Sequence, residues 1–348
     1  MKNFIKIIIV IFCLVLVFGG VIIALRKTND AKYGDGDPNT PKYLTDVTNV
    51  SYYPTKIAGV SVTYVDEGTM QGFHLVPDQK KYEGIVVCYG GSEGSPNFGE
   101  AERLAKEGYE TLAVFMYGMN NQQKTLARIP LEQFEDVLNY IQKQKVEKGP
   151  ITVLAGSKGA EYALNLASKY DDISNLVVTA PSAYNFAGLD FKDYGSSWTW
   201  QDKELPYIDI KKSSFVALVK NMLWPMLTKG PIVYKETYDT AIKSDKSLVK
   251  KVIPVKDVKA HIMIIAGEDD QMWNSPAMAK KIKEQKPDTE INLYKDAGHL
   301  FLGNGVLSTP EMRMRTGGSL SANEKPIQKV KKLLTISYWK NMVNKKSL

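Results

Sequence analysis

The chain has 348 residues, 44% hydrophobic and 24% charged, which is a globular composition long enough for one large domain or two small ones. Its net charge of +7 would suit an anionic partner, but the lysines are interleaved with acids and form no dense basic block, so no nucleic-acid partner is expected. Two cysteines, Cys13 and Cys88, and three histidines without H-x-x-x-H spacing exclude a disulfide framework and a zinc hydrolase, and no metal or cofactor is expected.

Residues 7–25 are apolar without a charge, long enough to cross a bilayer as a helix, and Arg26 and Lys27 close the run. A cleaved signal has a shorter core and a small-x-small cleavage site; Val21-Ile22-Ile23-Ala24-Leu25 is a poor one. Residues 1–27 are therefore expected to form an uncleaved signal anchor, a single-pass membrane helix. Lys2 and Lys6 balance Arg26 and Lys27, so charge bias does not orient it. A very short N-terminal tail commonly stays inside, which puts the rest of the chain outside the cytoplasm.

Residues 28–48, rich in Asp, Asn, Gly and Pro, read as a linker to a domain spanning residues 49–348. Residues 57–66 and 70–76 alternate like strands around Glu67-Gly68-Thr69, a hairpin in which His74 is a packed or surface residue. Residues 84–89 form a continuous apolar run, as in a buried parallel strand. A helix over 99–107 and a strand over 111–115 follow. Leu131, Phe134, Val137, Leu138 and Ile141 have helix spacing within 130–143. A strand at 151–154, a helix at 160–169, and strands at 176–179, 261–266 and 290–294 continue the alternation. Strands alternating with helices predict a doubly wound, mostly parallel sheet, whose ligands bind at the strands' carboxyl ends. Residues 182–255 interrupt it with Trp198, Trp200, Tyr207, Phe215, Trp224, Tyr234 and Tyr238, a cap insertion that could shape an apolar pocket. Within it, 215–227 reads as an apolar helix stopped near Pro225. A closing helix is expected over 321–344, with Ile327, Val330, Leu333, Leu334 and Tyr338 on one stripe.

Three loops at strand ends carry the chemistry. Ala155-Gly156-Ser157-Lys158-Gly159 joins a predicted strand to a helix and has the form of a nucleophile elbow, a sharp turn that exposes a serine oxygen; Ala155 stands where glycine is usual. A serine hydroxyl needs a base to take its proton, and the base needs a third group to orient it. Ile264-Ile265-Ala266-Gly267 runs into Glu268, Asp269 and Asp270, of which Asp270 has the spacing that turns a carboxylate back over the sheet edge, with Asp269 second. Ala297-Gly298-His299 follows the last strand and supplies the base; His261 precedes the acid and is out of order. The expected catalytic residues are Ser157, His299 and Asp270. An oxyanion hole needs two backbone N–H donors: Lys158, after the serine, and Gly91, with Ser92 as the alternative, from the Gly90-Gly91-Ser92-Glu93-Gly94 loop. That loop lacks the G-x-x-x-x-G-K-[ST] of a nucleotide loop. The Lys158 side chain is expected to be a surface or ion-pair residue that does not touch the substrate carbonyl.

Gly156-Ser157-Lys158-Gly159-Ala160-Glu161 resembles the serine turn of the acyl-CoA thioesterase and bile acid-CoA:amino acid N-acyltransferase family. Ile129-Pro130-Leu131-Glu132, Pro181-Ser182, Gly188-Leu189, Ser196-Ser197-Trp198-Thr199, Leu205-Pro206-Tyr207, Gly267 to Trp273, Ala297-Gly298-His299 and Gly317-Gly318 are similar to its segments, from about residue 82 to 339. The resemblance implies an α/β-hydrolase fold and Ser157, Asp270 and His299 as the triad. It departs in two ways: residues 43–79 have room for only a hairpin or small sheet where the family's mammalian members carry a β-sandwich domain, and a membrane anchor would keep an external domain from cytosolic CoA thioesters. Serine rather than cysteine at position 157 favours hydrolysis over acyl transfer to an amine. The expectation is a membrane-anchored serine hydrolase acting on a thioester or ester. The alternatives are a hydrolase of another ester or a peptide outside the cell, and a non-catalytic binding protein on a hydrolase scaffold.

Overall fold

A computed structural model describes residues 2–144, 149–309 and 311–324. Nine strands form one sheet: β1 (Lys56–Ile57), β2 (Val60–Glu67), β3 (Met70–Pro77), β4 (Ile85–Tyr89), β5 (Thr111–Val114), β6 (Ile151–Gly156), β7 (Ile173–Thr179), β8 (His261–Gly267) and β9 (Glu290–Tyr294). Their spatial order is β1-β2-β3-β5-β4-β6-β7-β8-β9. From β5 to β9 every neighbouring pair is parallel; β1, β2 and β3 extend one edge antiparallel. The hairpin expected around Gly68 is thus the outer part of this sheet, with β3 paired directly to β5.

The alternation within β4 shows why the sheet is doubly wound. Ile85, Val87 and Tyr89 pack into one core while Val86 and Cys88 pack into the other, so the strand is buried on both faces. Helices α3 (Gln133–Lys143) and α4 (Lys158–Ala167) cover the first face, and α2 (Phe98–Glu107) covers the second. The chain goes from β4 to β5 on one side and returns to β6 on the other, so the crevice at the β4 and β6 carboxyl ends is a topological switch point. His74 is a packed strand residue, held between the Tyr140 hydroxyl at 3.0 Å and Glu110 at 2.9 Å.

One expectation changes and two are sharpened. The first helix, α1 (Lys2–Tyr33), continues past Leu25 into the expected linker and ends at Gly34, whose φ is +63°. Its last turn is held from outside: Arg313 donates to Asp30 and to the Gly34 carbonyl. It is long and apolar enough to cross a membrane, with a mean hydropathy of 3.4 in its most apolar window, none of which is buried. The cap helix α5 (Phe215–Thr228) has the expected extent to within one residue, but it passes through Pro225. Residues Val219–Leu223 form a π turn, and Pro225, which lacks an N–H, sits in the first turn of the segment after it. The closing helix is helical over 320–324, and its further residues lie outside the described ones.

For Lys158, expected at the surface or in an ion pair, the structure has the ion pair, but a buried one. Its side chain is not on the surface: it is 2% exposed and pairs with Glu161, 0% exposed, at 2.8 Å. All ten residues of α4 are buried, so a charge on it must find its partner inside. The Lys158 ammonium also donates to Ser197 Oγ at 2.8 Å and lies over the Trp198 ring. Glu161 accepts from the Phe186 amide at 2.9 Å and from Trp198 Nε1 at 2.8 Å. Ser197, Trp198 and Phe186 belong to the insertion, so this pair clamps the cap to the elbow helix. Desolvation pushes the Lys158 pKa down and that of Glu161 up, and each charge restrains the other's shift. Glu161→Gln leaves the ammonium without its counter-charge and should cost about 3–5 kcal/mol of unfolding free energy. In the double variant Lys158→Met, Glu161→Leu much of that loss should return; denaturant unfolding of both variants measures it.

Candidate active site

The site begins with a backbone constraint. Ser157 has φ +54° and ψ −122°, a conformation that non-glycine residues rarely adopt. It is held there by its neighbours: the Ser157 amide donates to the Thr179 carbonyl at 3.0 Å, and α4 begins immediately after it. Gly159 permits the turn, because a Cβ there would stand 1.9 Å from the Gly90 carbonyl oxygen. The close approach brings the loop after β4 against the elbow: a Cβ on Gly91 would touch the Ser157 Cβ at 3.4 Å.

The acid and base loops reach the same spot. His299 Nε2 is 2.8 Å from Ser157 Oγ, and His299 Nδ1 is 2.8 Å from Asp270 Oδ2. An ionised carboxylate only accepts, so the imidazole donates from Nδ1 and leaves Nε2 to accept from the serine hydroxyl. Asp270 is fully buried, and its Oδ1 accepts from the Met272 and Trp273 amides at 2.9 and 3.1 Å. Ser275 Oγ donates to Oδ2 at 2.5 Å. These bonds fix the carboxylate's rotamer and satisfy it in the absence of water. His299 is 3% exposed, its amide donates to the Thr316 carbonyl at 2.7 Å, and its ring meets the edge of Trp273 at 5.4 Å. Ser157 itself remains half-buried, within reach of a ligand.

Of the sequence candidates, Ser157, His299 and Asp270 come together. Asp269 is used elsewhere: its Oδ2 accepts from the Gly318 amide at 2.7 Å, which pins the segment behind the base loop. The Lys158 amide, at the N-terminus of α4, finds no acceptor among the described residues, and the Ser92 amide likewise finds none. The Gly91 amide is engaged, donating to Glu93 Oε1 at 3.0 Å. Sequence reading gave no role to Glu161, Ser275, Glu93 or Asn323. Asn323 Oδ1 accepts from the Gly298 amide at 2.8 Å. Glu161 left a usable trace, since Lys and Glu at i, i+3 stand in a helix whose other residues, Asn165 apart, are apolar, aromatic or glycine.

The cap forms one wall. Phe186 and Tyr238 pack on Trp273 at ring-centroid distances of 6.1 and 5.6 Å, and Trp273 stands against His299. The arrangement is a hydroxyl, an imidazole and a buried carboxylate in one hydrogen-bonded line, beside the Lys158 amide at a helix N-terminus and backed by buried aromatic rings. Such a line can deprotonate a nucleophile and hold a developing oxyanion.

Comparison with known proteins places this geometry. The chain is 27% identical over 248 residues to acyl-coenzyme A thioesterase 1 of Rattus norvegicus, an alignment covering 69% of this chain and 54% of that protein. It is 28% identical over 273 residues to the Homo sapiens acyl-coenzyme A thioesterase 1, covering 76% and 59%, and 26% identical over 251 residues to the Mus musculus bile acid-CoA:amino acid N-acyltransferase, covering 70% and 54%. The chain therefore spans a little over half the length of the curated relatives it matches. Among solved structures, carboxyl esterase 2 of the mycorrhizal fungus Tuber melanosporum matches 89% of this chain and 100% of its own, with a TM-score of 0.50 and 10% identity, a likeness of α/β-hydrolase fold. The family model described as BAAT / Acyl-CoA thioester hydrolase C terminal matches residues 129–302, half of the chain, and it is to this family that the chain belongs.

Proposed function

We propose that this protein is a membrane-anchored serine hydrolase that cleaves an acyl thioester or ester through an acyl-enzyme. The observation that carries the reading is the unbroken line from Ser157 Oγ through His299 to Asp270, with both links at 2.8 Å. Membership of a family whose relatives are named as acyl-coenzyme A thioesterases supports the substrate class.

In this mechanism Ser157 Oγ attacks the carbonyl carbon as its proton passes to His299 Nε2. Asp270 holds the imidazole in the required tautomer and stabilises the imidazolium. The tetrahedral oxygen accepts from the Lys158 amide and from a second donor in the 90–92 loop. Ser92 offers a free N–H, and Gly91 offers one once the exposed Glu93 carboxylate releases it. His299 then gives its proton to the leaving thiolate or alkoxide, and the acyl group stays on Ser157. A water attacks that ester, passing a proton to Nε2 in turn, and the carboxylic acid leaves with Ser157 restored. Phe186 and Tyr238 pack on Trp273, which backs His299 and holds the base in place.

Helix α1 is the anchor in this reading, with the hydrolase domain on the extracytoplasmic side. A domain held there meets few CoA thioesters, so the leaving group is an external thiol or alcohol rather than CoA.

A fluorophosphonate probe should label the wild-type chain covalently and leave Ser157→Ala unlabelled. In hydrolysis of p-nitrophenyl esters and acyl thioesters, Ser157→Ala and His299→Ala should each lower kcat by about 10⁶-fold, and Asp270→Asn by about 10⁴-fold. A folded wild-type chain that takes no label and turns over no ester would end the hydrolase reading. Protease added to intact cells should digest the hydrolase domain; full protection would put the domain inside and make CoA thioesters its candidate substrates.

A further inference from the structure

Helix α5 is built inside out. The residues it turns toward the protein are Ala217, Asn221, Pro225 and Thr228, small or polar and spaced along one narrow stripe. Toward the outside it presents Phe215 at 74% exposure, Val216 at 70%, Met226 at 58%, and Leu223, Leu227 and Trp224. A helix seated on a protein in water arranges these classes the other way round. Contiguous exposed apolar surface of this kind marks a contact with something apolar.

The neighbour of α5 says what that is. Its Trp224 ring lies 6.2 Å from the Phe18 ring of α1. Phe18 is inside the apolar run that ends at Leu25, about 10 Å from that end at the rise of an α-helix. Further along, Asn29 Nδ2 donates to the Thr228 carbonyl at 2.9 Å and Asp30 pairs with Lys229 at 3.2 Å. Arg313 ties both elements together: it donates to Asp30 at 2.8 Å and to the Lys229 carbonyl at 2.7 Å. An α1 that crosses a bilayer therefore carries α5 to the depth of the acyl chains near one surface, apolar face outward. Exposed lysines, Lys220 on the helix and Lys211 and Lys212 before it, suit the headgroup layer of that surface.

We propose that α5 lies in the headgroup and acyl boundary of the bilayer that α1 crosses, as a second membrane contact that seats the cap on the lipid surface. This rests on the reading of α1 as the anchor. The contact sits close to the catalytic loops along the backbone. Beyond α5, the Ile232 amide donates to the Arg313 carbonyl and the Arg315 amide donates to that of Ile232, and the next residue, Thr316, accepts from the His299 amide.

Site-directed nitroxide labels on the full chain in phosphatidylcholine–phosphatidylglycerol vesicles test it. Cys88 stays unlabelled because it is fully buried and desolvation pushes its thiol pKa up. Native Cys13 serves as the reference for the span, and Val249→Cys, at 87% exposure, as the reference for water. Leu227→Cys and Met226→Cys, each with Cys13→Ser, report on α5; both native side chains are exposed, so neither change opens a cavity. The expected result is a ratio of oxygen to nickel-complex collisions at 226 and 227 that stands closer to the Cys13 value than to the Val249→Cys value. Ratios matching Val249→Cys, with a lipid-like Cys13, would overturn the contact while leaving the anchor in place. A water-like value at Cys13 itself would remove the anchor and this inference with it.

Discussion

The site depends on how closely two backbones pass. The elbow helix α4 leaves β6 so near the end of β4 that no side chain fits at Gly159, where a Cβ would meet the Gly90 carbonyl at 1.9 Å. That approach forces Ser157 into its positive φ and presents its oxygen above the sheet. It also sets the Gly90–Ser92 loop against the serine, so a candidate nucleophile and candidate oxyanion donors come from strands that are neighbours only because the topology reverses there. The strain at Ser157 is sustained because α4 is buried along its whole length and cannot shift to relieve it.

Burial of that helix has a second consequence. A lysine directly after the serine would usually be expected at a surface, but on α4 every direction leads into protein. Lys158 finds Glu161 one turn on, and Glu161 in turn finds the Phe186 amide and the Trp198 indole. Removing one partner of such a pair is far more costly than never having placed it. The pair therefore serves registration more than stability: it fixes where the cap strand Trp198–Trp200 sits over the elbow, and with it the aromatic wall that Phe186 begins.

The cap faces two environments. Its inner side carries the aromatic residues that meet Trp273 beside His299, and its outer helix offers Phe215, Leu223, Met226 and Leu227. Burying one such side chain is worth about 1.5–3 kcal/mol, a gain this face leaves unused while it stands in water. The polar grip of Arg313 on Asp30 and on the Lys229 carbonyl keeps this surface beside the apolar helix α1. Helix α1 runs to Tyr33 and is fastened to the domain at its end by Arg313.

Much of this was legible in the residues themselves. Alternating strands and helices announced the parallel sheet, because a strand buried on both faces must be apolar throughout. The order of Ser157, Asp270 and His299, each just past a strand, named the three residues that the fold gathers, since such loops all end on one edge of the sheet. An apolar run such as 7–25 is recognisable from its length alone. What sequence could not supply was the partnership of residues far apart in the chain. It ranked Gly91 first as a donor, but only the folded loop shows that amide held by Glu93 and the Ser92 amide without an acceptor among the described residues. It gave α5 its extent over 215–227 but not the π turn at Val219–Leu223, which apolar spacing does not reveal. It left Lys158 between surface and ion pair, because burial of a helix on all sides is a property of what packs around it. The residues determine which groups can react and in what order they occur; the packing decides which of them are satisfied, which are left open, and which way an apolar face points, since those depend on distances that only the folded chain defines.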